Sequence, residues 1–214
     1  MKRIGITGGI GAGKSAVTEY LRSKGYTVVD ADELAREATA PGQPALERIR
    51  EAFGDGVFVR EPVDDGAAAG PLVLDRKALA AVVFADDGAR ARLEAIGHAD
   101  VFARMAEAAP GADGVVFYSI PLLFEAGPAQ GHGFDAVWHI AADDETRLAR
   151  ACARDGTNPR DIRARMAAQL PEAEKRARAD VVIDNNGTLA ELHAQVDALL
   201  RPLPHGADAA FAAV

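Results

Sequence analysis

The stretch that determines the fold of this chain is ITGGIGAGKSAV, residues 6–17, in which four glycines precede a single lysine. It follows the short apolar run KRIGIT (2–7) and leads into KSAVTEYLRSKG (14–25), whose apolar residues recur at helical spacing. Glycine allows the backbone conformations that a tight turn needs. The sequence therefore predicts a glycine-rich turn between a first strand and a first helix.

This turn contains a phosphate-binding pattern. The segment GGIGAGKS (8–15) matches G-x-x-x-x-G-K-[ST], with Gly8, Gly13, Lys14 and Ser15 in the fixed positions. In such a loop the backbone N–H groups surround phosphates, and the N-terminus of the following helix adds positive potential. Lys14 would reach the β- and γ-phosphates, and the Ser15 hydroxyl would ligate Mg²⁺. The pattern predicts a site for a nucleoside triphosphate; the alternative is a glycine-rich turn with an unrelated lysine.

Further apolar runs predict the rest of a sheet. They are YTVVD (26–30), GVVFYSI (114–120), DAVWHIA (135–141) and DVVID (180–184). Their nearly continuous apolar character is typical of parallel strands that are buried on both faces. Helical stretches alternate with them, which indicates an α/β fold with a parallel five-stranded sheet flanked by helices.

Two segments are too long to be simple connections between strands. We expect a helical insertion over about 43–110 and a second over about 143–178. The core of a single domain, 1–204, then consists of about 1–42, 111–142 and 179–201. Residues 205–214 follow a stretch with two prolines and lack periodicity, so we expect a disordered tail.

Two acidic residues follow the second strand in VVDADELAR (28–36). Asp30 ends the strand and, with Glu33, could form a capping pair at the start of a helix. Asp32 would then lie in the first turn of that helix. A carboxylate there could accept a proton from an attacking hydroxyl, or it could simply complement the helix dipole.

The second insertion is basic. Residues 147–178 carry nine basic residues against four acidic ones, although the net charge of the whole chain is −8. Arg147, Arg150 and Arg154 share one helix face at spacings i, i+3 and i+7. This face is either a solvated surface or a mobile arginine lid over a transferring phosphoryl group.

Composition limits the other classes of partner and environment. The acidic net charge argues against duplex nucleic acid as the main partner. No apolar run is long enough for a membrane helix, and Cys152 is the single cysteine, so no intrachain disulfide can form. We expect a cytoplasmic protein.

Several separate stretches together resemble the dephospho-coenzyme A kinase family. They are IGITGGIGAGKS, VVDADELARE with PGQPAL, LDRKAL, IPLLFE (120–125), ARDG with RARMAAQ, and ADVVIDNNG (179–187), and they extend over about residues 1–200. The P-loop alone is shared by many enzymes, whereas the order of DAD, IPLLFE and IDNNG is far more specific.

The resemblance implies a reaction and a set of site residues. The reaction is transfer of the ATP γ-phosphoryl group to the ribose 3′-hydroxyl of dephospho-coenzyme A, with Mg²⁺. The first insertion would bind coenzyme A, and the second would be the lid. The implied residues are Asp32 as base with Lys14, Arg150 and Arg154 as catalytic groups; Gly8, Gly9, Gly11, Ala12, Gly13, Lys14, Ser15, Ala16, Asn185 and Gly187 for ATP; Asp32, Arg76, His98, Leu122, Leu123 and Glu125 for the acceptor; and Ser15 for the metal.

The chain departs from the family pattern at three positions. Ser119 stands where an aspartate is frequent, so a carboxylate from that strand is expected to be missing near the Mg²⁺, and Ser15, Asp32 and waters must suffice. Ala16 replaces a threonine after the P-loop serine, which removes a hydroxyl near the α-phosphate. His98-Ala99 replaces a His-Pro pair.

A relative without catalytic activity is one alternative, which Ser119 favours only slightly because Lys14, Ser15 and Asp32 are all in place. Two other functions also remain open from the sequence. One is another small P-loop kinase acting on a nucleotide or a metabolite alcohol, in which IPLLFE and IDNNG are not expected. The other is a nucleotide-dependent switch, although the Asn-Lys-x-Asp element of guanine-specific switches is missing. The sequence allows a monomer or a small homo-oligomer.

Overall fold

The computed structural model describes residues 1–61, 70–107, 114–125 and 133–204. Its chain forms two compact units, one made of Met1–Asp30 with Ala109–Val214 and the other of Ala31–Ala108. The second unit thus begins directly after Asp30, earlier than the predicted insertion. Most of the Gly/Ala/Pro-rich stretch DDGAAAGP (64–71), which is typical of a loop, lies outside the described residues, as does the predicted tail at 205–214.

A parallel five-stranded sheet forms the centre of the first unit. Its strands are β1 (Lys2–Gly8), β2 (Thr27–Asp30), β5 (Val115–Ser119), β6 (Ala136–Ala141) and β7 (Val181–Asp184), and their order in the sheet is β2-β5-β1-β6-β7. This confirms the predicted fold class.

The register of the sheet brings three strand ends together. Asp30 is paired with Ser119 between β2 and β5, and Ile6 is paired with the same Ser119 between β1 and β5. Gly8, the last residue of β1, is paired with Ile140 of β6. Ligand sites in open α/β sheets lie beyond the carboxyl ends of the strands, so the residues after these ends are candidates for the site.

The first unit also contains helices, some of which pack on the sheet and some on each other. They are α1 (Lys14–Ser23), α6 (Asp144–Asp155), α7 (Pro159–Ala167), α8 (Glu172–Arg178) and α9 (Leu189–Leu200). Val17, Leu21, Leu192 and Val196 pack with Ile6 and other strand residues in one cluster. That burial, at about 25 cal/mol per Å² of apolar surface, is the main stabilisation of such a layer.

Local sequence signals set the ends of several helices. Gly25, just after α1, has φ of 80°, the conformation that ends helices. The Asn158 side chain accepts from the backbone N–H of Asp161 at the start of α7. Thr188 and Glu191 form a capping box at the start of α9.

The second unit is mainly helical. It contains α2 (Ala31–Ala38), α3 (Pro44–Phe53), a short 3-10 helix (Asp55–Val57), β3 (Phe58–Arg60), β4 (Leu72–Leu74), α4 (Arg76–Ala85) and α5 (Asp87–Glu107). Asp75 caps α4 by accepting from two backbone N–H groups. The antiparallel pair β3–β4 was not predicted; its apolar residues Phe58, Leu72 and Leu74 pack in the core of the unit.

Candidate active site

The predicted phosphate loop lies between Gly8, the end of β1, and Lys14, the start of α1. It is closed by a hydrogen bond from the Ala12 N–H to the Gly9 carbonyl at 3.0 Å. Gly11 and Gly13 have φ of 75° and 92°, a region that residues with a Cβ rarely adopt. The pattern of glycines therefore corresponds to the conformation that the loop requires.

The N-terminus of α1 carries no internal compensation for its dipole. Its N-cap residue, Gly13, makes no side-chain cap, and the described first turn contains no acidic residue. Helix N-termini leave backbone N–H groups without intrahelical partners and carry partial positive charge. A helix start of this kind, preceded by a glycine loop, suits a phosphate.

Lys14 points to the strand ends beside the loop. Its ammonium group donates a hydrogen bond to the Ser119 hydroxyl and lies 3.7 Å from Asp30 Oδ2. The Ser119 hydroxyl in turn donates to Asp30 Oδ2 at 2.7 Å. Ser15, the residue after Lys14, is exposed, and its backbone carbonyl accepts a hydrogen bond from the Thr18 hydroxyl.

Sequence reasoning missed the roles of Asp30 and Ser119. Asp30 was interpreted as a cap and Ser119 as the loss of a carboxylate. The structure shows instead that a carboxylate is present at this point, supplied by β2 and linked through Ser119 to Lys14. The strand order, which places β2 next to β5, was the information needed to find this arrangement.

Asn185 supports the other side of the loop. The Asn185 side-chain amide donates to the Ala12 carbonyl at 2.8 Å, and the Asn185 backbone carbonyl accepts from Arg150 Nη1 at 2.8 Å. Asn185 is 6% exposed, and a Cβ added to Gly13 would overlap its amide. Predicted site residues from three segments thus meet here, whereas Gly187 is exposed at the start of α9.

The three arginines of α6 differ in their exposure. Arg147 is 4% exposed and its Nε donates to the Ile10 carbonyl at 3.0 Å. Arg154 is mostly exposed and pairs with Asp155 at 2.6 Å. The hydrogen bonds from Arg154 and Arg165 lower the pKa of Asp155 to about 2. The interpretation of Arg147 as part of an open face was therefore wrong: it is buried against the phosphate loop.

The residues of IPLLFE divide into one exposed and several packed positions. Leu122 is exposed, but Leu123 is 1% exposed and packs with Phe124 and Val137 in the core. The Glu125 carboxylate pairs with buried Lys175 at 3.0 Å and accepts from the Leu170 N–H. The Leu123 side chain is therefore enclosed by the core, and the Glu125 carboxylate is paired with Lys175; their place near the acceptor stays a prediction.

The remaining predicted residues belong to the second unit. Asp32 is exposed in the first turn of α2, two residues after the end of β2. Arg76 Nη2 donates to the Thr39 hydroxyl at 2.7 Å. His98 lies in α5, but its side chain is outside the described residues.

A mainly apolar cleft of about 190 Å³ lies within the second unit next to Arg76 and Thr39. Apolar clefts with a few polar groups at the edge are typical of sites for small organic ligands. Its other lining residues are Ala35, Ala38, Ala45, Ile49, Leu74, Leu79, Leu93, Ile96, Gly97 and Val101.

The donors near the loop fit a nucleotide and its metal ion. Backbone N–H groups and Lys14 offer positive charge for phosphates, while the hydroxyl of Ser15 and the carboxylate of Asp30 are oxygen ligands of the kind that Mg²⁺ prefers. Mg²⁺ usually keeps several waters and is held mostly by substrate phosphates, so few protein ligands are needed.

The sequence also matches a known protein family and its curated members. The family model described as Dephospho-CoA kinase matches residues 2–191. A dephospho-CoA kinase from Geobacter sulfurreducens is 44% identical over 201 residues, which covers 92% of this chain and 96% of the relative.

Two solved structures are also similar. A crystal structure of the protein TT1252 from Thermus thermophilus is 38% identical with a TM-score of 0.78 and covers 95% of this chain and 98% of its own. The dephospho-CoA kinase from Campylobacter jejuni is 25% identical with a TM-score of 0.58, and the shares covered are 94% and 96%. The phosphate loop, the sheet and these likenesses agree, and the chain belongs to the dephospho-CoA kinase family.

Proposed function

We propose that this chain transfers the γ-phosphoryl group of ATP to the ribose 3′-hydroxyl of dephospho-coenzyme A, giving coenzyme A and ADP. The bond from the β–γ bridging oxygen to the γ-phosphorus breaks, and a bond from the 3′-oxygen to that phosphorus forms. The 3′-hydroxyl loses its proton to a base. The observation that carries this proposal is the uncapped helix start of α1 with Lys14 held at the ends of β2 and β5.

Each residue of the loop has a part in holding the nucleotide. The backbone of Gly8, Gly9, Gly11, Ala12 and Gly13 would surround the phosphates, with Lys14, Ser15 and Ala16 at the helix start. Lys14 would leave Ser119 and Asp30 for the β- and γ-phosphates, since charge on the transferring group is what needs stabilisation. Bound Mg²⁺ would supply a Lewis acid at the same oxygens, with the Ser15 hydroxyl as a ligand.

The catalytic base in this proposal is Asp32. Its support is the exposed position in the first turn of α2, two residues beyond Asp30, together with the family pattern. Arg150 and Arg154 would stabilise charge on the transferring group. Arg154 would first have to leave Asp155, whereas Arg150 already lies beside Asn185. Asn185 and Gly187 would border the adenine.

For the acceptor we propose the second unit, with Arg76 and His98, and the exposed Leu122. A coenzyme A precursor has a polar nucleotide end and a long, less polar pantetheine arm. The apolar cleft beside Arg76 and Thr39 offers surfaces for both kinds of group. Leu123 and Glu125 would act from beneath, by fixing the segment that carries Leu122.

The setting of the protein is also part of the proposal. We propose a cytoplasmic enzyme, monomeric or a small homo-oligomer, that does not act on nucleic acid; its net charge of −8 supports the last point. No helix among the described residues is long and apolar enough to span a membrane.

The test is ADP release with Mg-ATP, with and without dephospho-coenzyme A, and the mass of the product. Release stimulated by that acceptor, with a product heavier by one phosphate, is the expected result. If the protein binds ATP but its ADP release is stimulated by another metabolite or nucleotide, and not by dephospho-coenzyme A, it is a different small P-loop kinase. Slow hydrolysis that no acceptor stimulates would indicate a switch.

The base is tested by a matched pair of variants in one turn of α2. Asp32→Asn is expected to lower kcat at least about 100-fold with the Kd for ATP nearly unchanged. Glu33→Gln, which removes an exposed carboxylate from the next position, should retain activity. Equal loss in both variants, or loss of ATP binding in Asp32→Asn, would contradict the role of base.

A further inference from the structure

The outer end of the phosphate loop is held through both polar groups of one residue. The Ile10 N–H donates to Gln169 Oε1 at 3.2 Å, and the Ile10 carbonyl accepts from Arg147 Nε at 3.0 Å. Gln169 follows α7, and Arg147 lies in the first turns of α6. The loop is thus bound to two segments that are distant from it in the sequence.

The two side chains that hold Ile10 also bind each other. Arg147 Nη2 donates to Gln169 Oε1 at 3.4 Å, which closes a triangle of hydrogen bonds with the Ile10 backbone. On its other side the guanidinium faces Asp144 at 3.1 Å and Glu172 at 3.7 Å. A buried arginine with carboxylates on that side is held in place by them.

Glu172 remains ionised beside this arginine. Burial raises the pKa of its carboxyl, but the hydrogen bond with His139 and the charges of His139, Arg147 and Arg176 outweigh burial, so the pKa lies below its usual value. The His139–Glu172 distance is 2.8 Å. The charge opposite Arg147 is therefore present at neutral pH.

Two glycines of the loop pack directly on Arg147. A Cβ on Gly9 would come to 2.8 Å from Arg147 Cζ, and one on Gly11 would come to 2.8 Å from the Arg147 backbone carbon. Real Cβ atoms do not approach other atoms so closely. The glycines at these positions therefore also allow α6 to approach the loop.

These contacts determine the shape of the loop before a nucleotide binds. A residue that is fixed at both its N–H and its carbonyl cannot rotate freely, so the neighbouring N–H groups keep their directions. Donors that are preorganised in this way need no rearrangement when the phosphate arrives. We propose that Arg147 and Gln169 are positioning residues, which hold the Ile10 backbone and thereby set the affinity of the loop for nucleotide.

This inference rests on the proposed function only in that the loop binds nucleotide. The same helix α6 carries Arg147 against Ile10 and Arg150 against Asn185. A change in the hold on Ile10 therefore also bears on the placement of Arg150. The effect is expected on nucleotide binding and KM for ATP more than on KM for the acceptor.

The test measures the Kd for Mg-ADP by calorimetry on purified full-length variants. Arg147→Met and Gln169→Leu each remove one of the two contacts to Ile10, and we expect about tenfold weaker binding in each, the size of one charge-assisted or buried hydrogen bond. Gln169→Glu keeps an acceptor for the Ile10 N–H and should stay within about twofold of wild type. Arg163→Gln, an exposed arginine of the neighbouring α7, is the control for loss of charge.

The double variant distinguishes a shared hold on one residue from two separate effects. Because both side chains act on Ile10, Arg147→Met/Gln169→Leu should bind about as weakly as the weaker single variant, whereas independent effects would multiply to about 100-fold. A lower Tm with unchanged Kd in both single variants, or a full 100-fold loss in the double, would overturn the inference. If Arg147→Met does not fold, the comparison of Gln169→Leu with Gln169→Glu decides.

The result of this experiment can be distinguished from the result of the test of the proposed function. A wild-type protein that binds Mg-ADP but does not phosphorylate dephospho-coenzyme A would refute the acceptor, while the Kd values still test the hold on Ile10. Conversely, an active kinase whose Gln169→Leu variant keeps wild-type Kd and KM for ATP refutes only the positioning role.

Discussion

The hydroxyl of Ser119, at the end of β5, donates a hydrogen bond of 2.7 Å to Oδ2 of Asp30, at the end of β2. Ser119 is fully buried, and it also accepts from the ammonium group of Lys14. The negative charge beside the phosphate loop therefore belongs to Asp30, and Ser119 connects it to Lys14. This arrangement explains how a chain with serine in place of the frequent aspartate keeps a carboxylate at the site.

Moving this carboxylate from one strand to the other should partly preserve its effect. Asp30→Asn is expected to lower kcat about 10- to 100-fold and to raise the Mg²⁺ concentration for half-maximal activity, because a negative oxygen near the metal and Lys14 is lost. Adding Ser119→Asp to that variant returns a carboxylate to the neighbouring strand end and should recover part of both values. The measurement is kcat as a function of Mg²⁺ at saturating substrates.

The single Ser119→Asp variant is the control for this exchange. Two adjacent carboxylates repel each other and raise one of their pKa values, so this variant should be less active than the exchanged double variant at neutral pH. A double variant no better than Asp30→Asn alone would show that the position of the carboxylate, and not only its presence, is required.

Sequence reasoning found the parts of the site that are local in the chain. The loop 8–15 carries its own pattern, and the caps at Asp75, Asn158 and Thr188 depend on residues only two or three positions away. The apolar runs predicted the strands of the five-stranded sheet to within one residue at every end, because parallel strands buried on both faces have few polar positions.

The contacts between distant segments could not be found in this way. The spacing of Arg147 and Arg150 shows that they share a helix face, but not that Ile10 packs on it. The pairing of Glu125 with Lys175 could not be predicted either, because the two residues are distant in the sequence and no local pattern connects them. The β3–β4 pair has three residues in each strand, which is too short for a pattern of alternation to be recognised.

Gly13 and Gly25 allow backbone conformation to be separated from packing at the loop. Both have positive φ, 92° and 80°, but a Cβ at Gly25 would meet no atom within 4 Å, whereas one at Gly13 would overlap the Asn185 amide. Gly25→Ala should cost about 1–2 kcal/mol of stability from the left-handed conformation alone. Gly13→Ala should cost more and also weaken ATP binding at least about tenfold, because Asn185 must leave Ala12.

The measurements are urea unfolding and ATP binding on both variants. Gly25→Ala should keep the wild-type Kd for ATP because it lies at the other end of α1. Equal changes in Kd in the two variants would mean that contact with Asn185 is not what requires glycine at position 13.

The ion pair of Glu125 and Lys175 should matter more for stability than for chemistry. Lys175 is 2% exposed and its Nζ lies 3.0 Å from Glu125 Oε1. Removal of one partner leaves the other charge buried without compensation, which costs about 3–5 kcal/mol in such pairs. We expect Glu125→Gln to lower the free energy of unfolding toward that range, and Glu125→Gln/Lys175→Met to recover a large part of it.

Urea unfolding measures this cost, and KM for dephospho-coenzyme A measures any direct role in the acceptor site. A raised KM in the double variant, with stability recovered, would show that Glu125 contacts the acceptor after all. Glu174→Gln removes a carboxylate from the more exposed ion pair with Arg178 and serves as the matched control, with an expected cost below about 1 kcal/mol.

Asp155 gives the chain a dependence of stability on acidity. Hydrogen bonds from Arg154 and Arg165 lower its pKa from an ordinary 3.8 to about 2. Because the folded pKa is the lower one, the unfolded chain binds more protons, and the stabilisation is fully present above about pH 4 and disappears as the pH falls toward about 2. Asp155→Asn should therefore be less stable than wild type at neutral pH, with a difference that shrinks below about pH 4.

Urea midpoints measured from about pH 6 to about pH 2 for both proteins check this, and added salt should reduce the difference because the carboxyl is near the surface. Glu145→Gln, which removes a highly exposed carboxylate from the same helix α6, is the matched control. A difference between wild type and Asp155→Asn that stays constant over this range would contradict the assignment of the ion pair as its source.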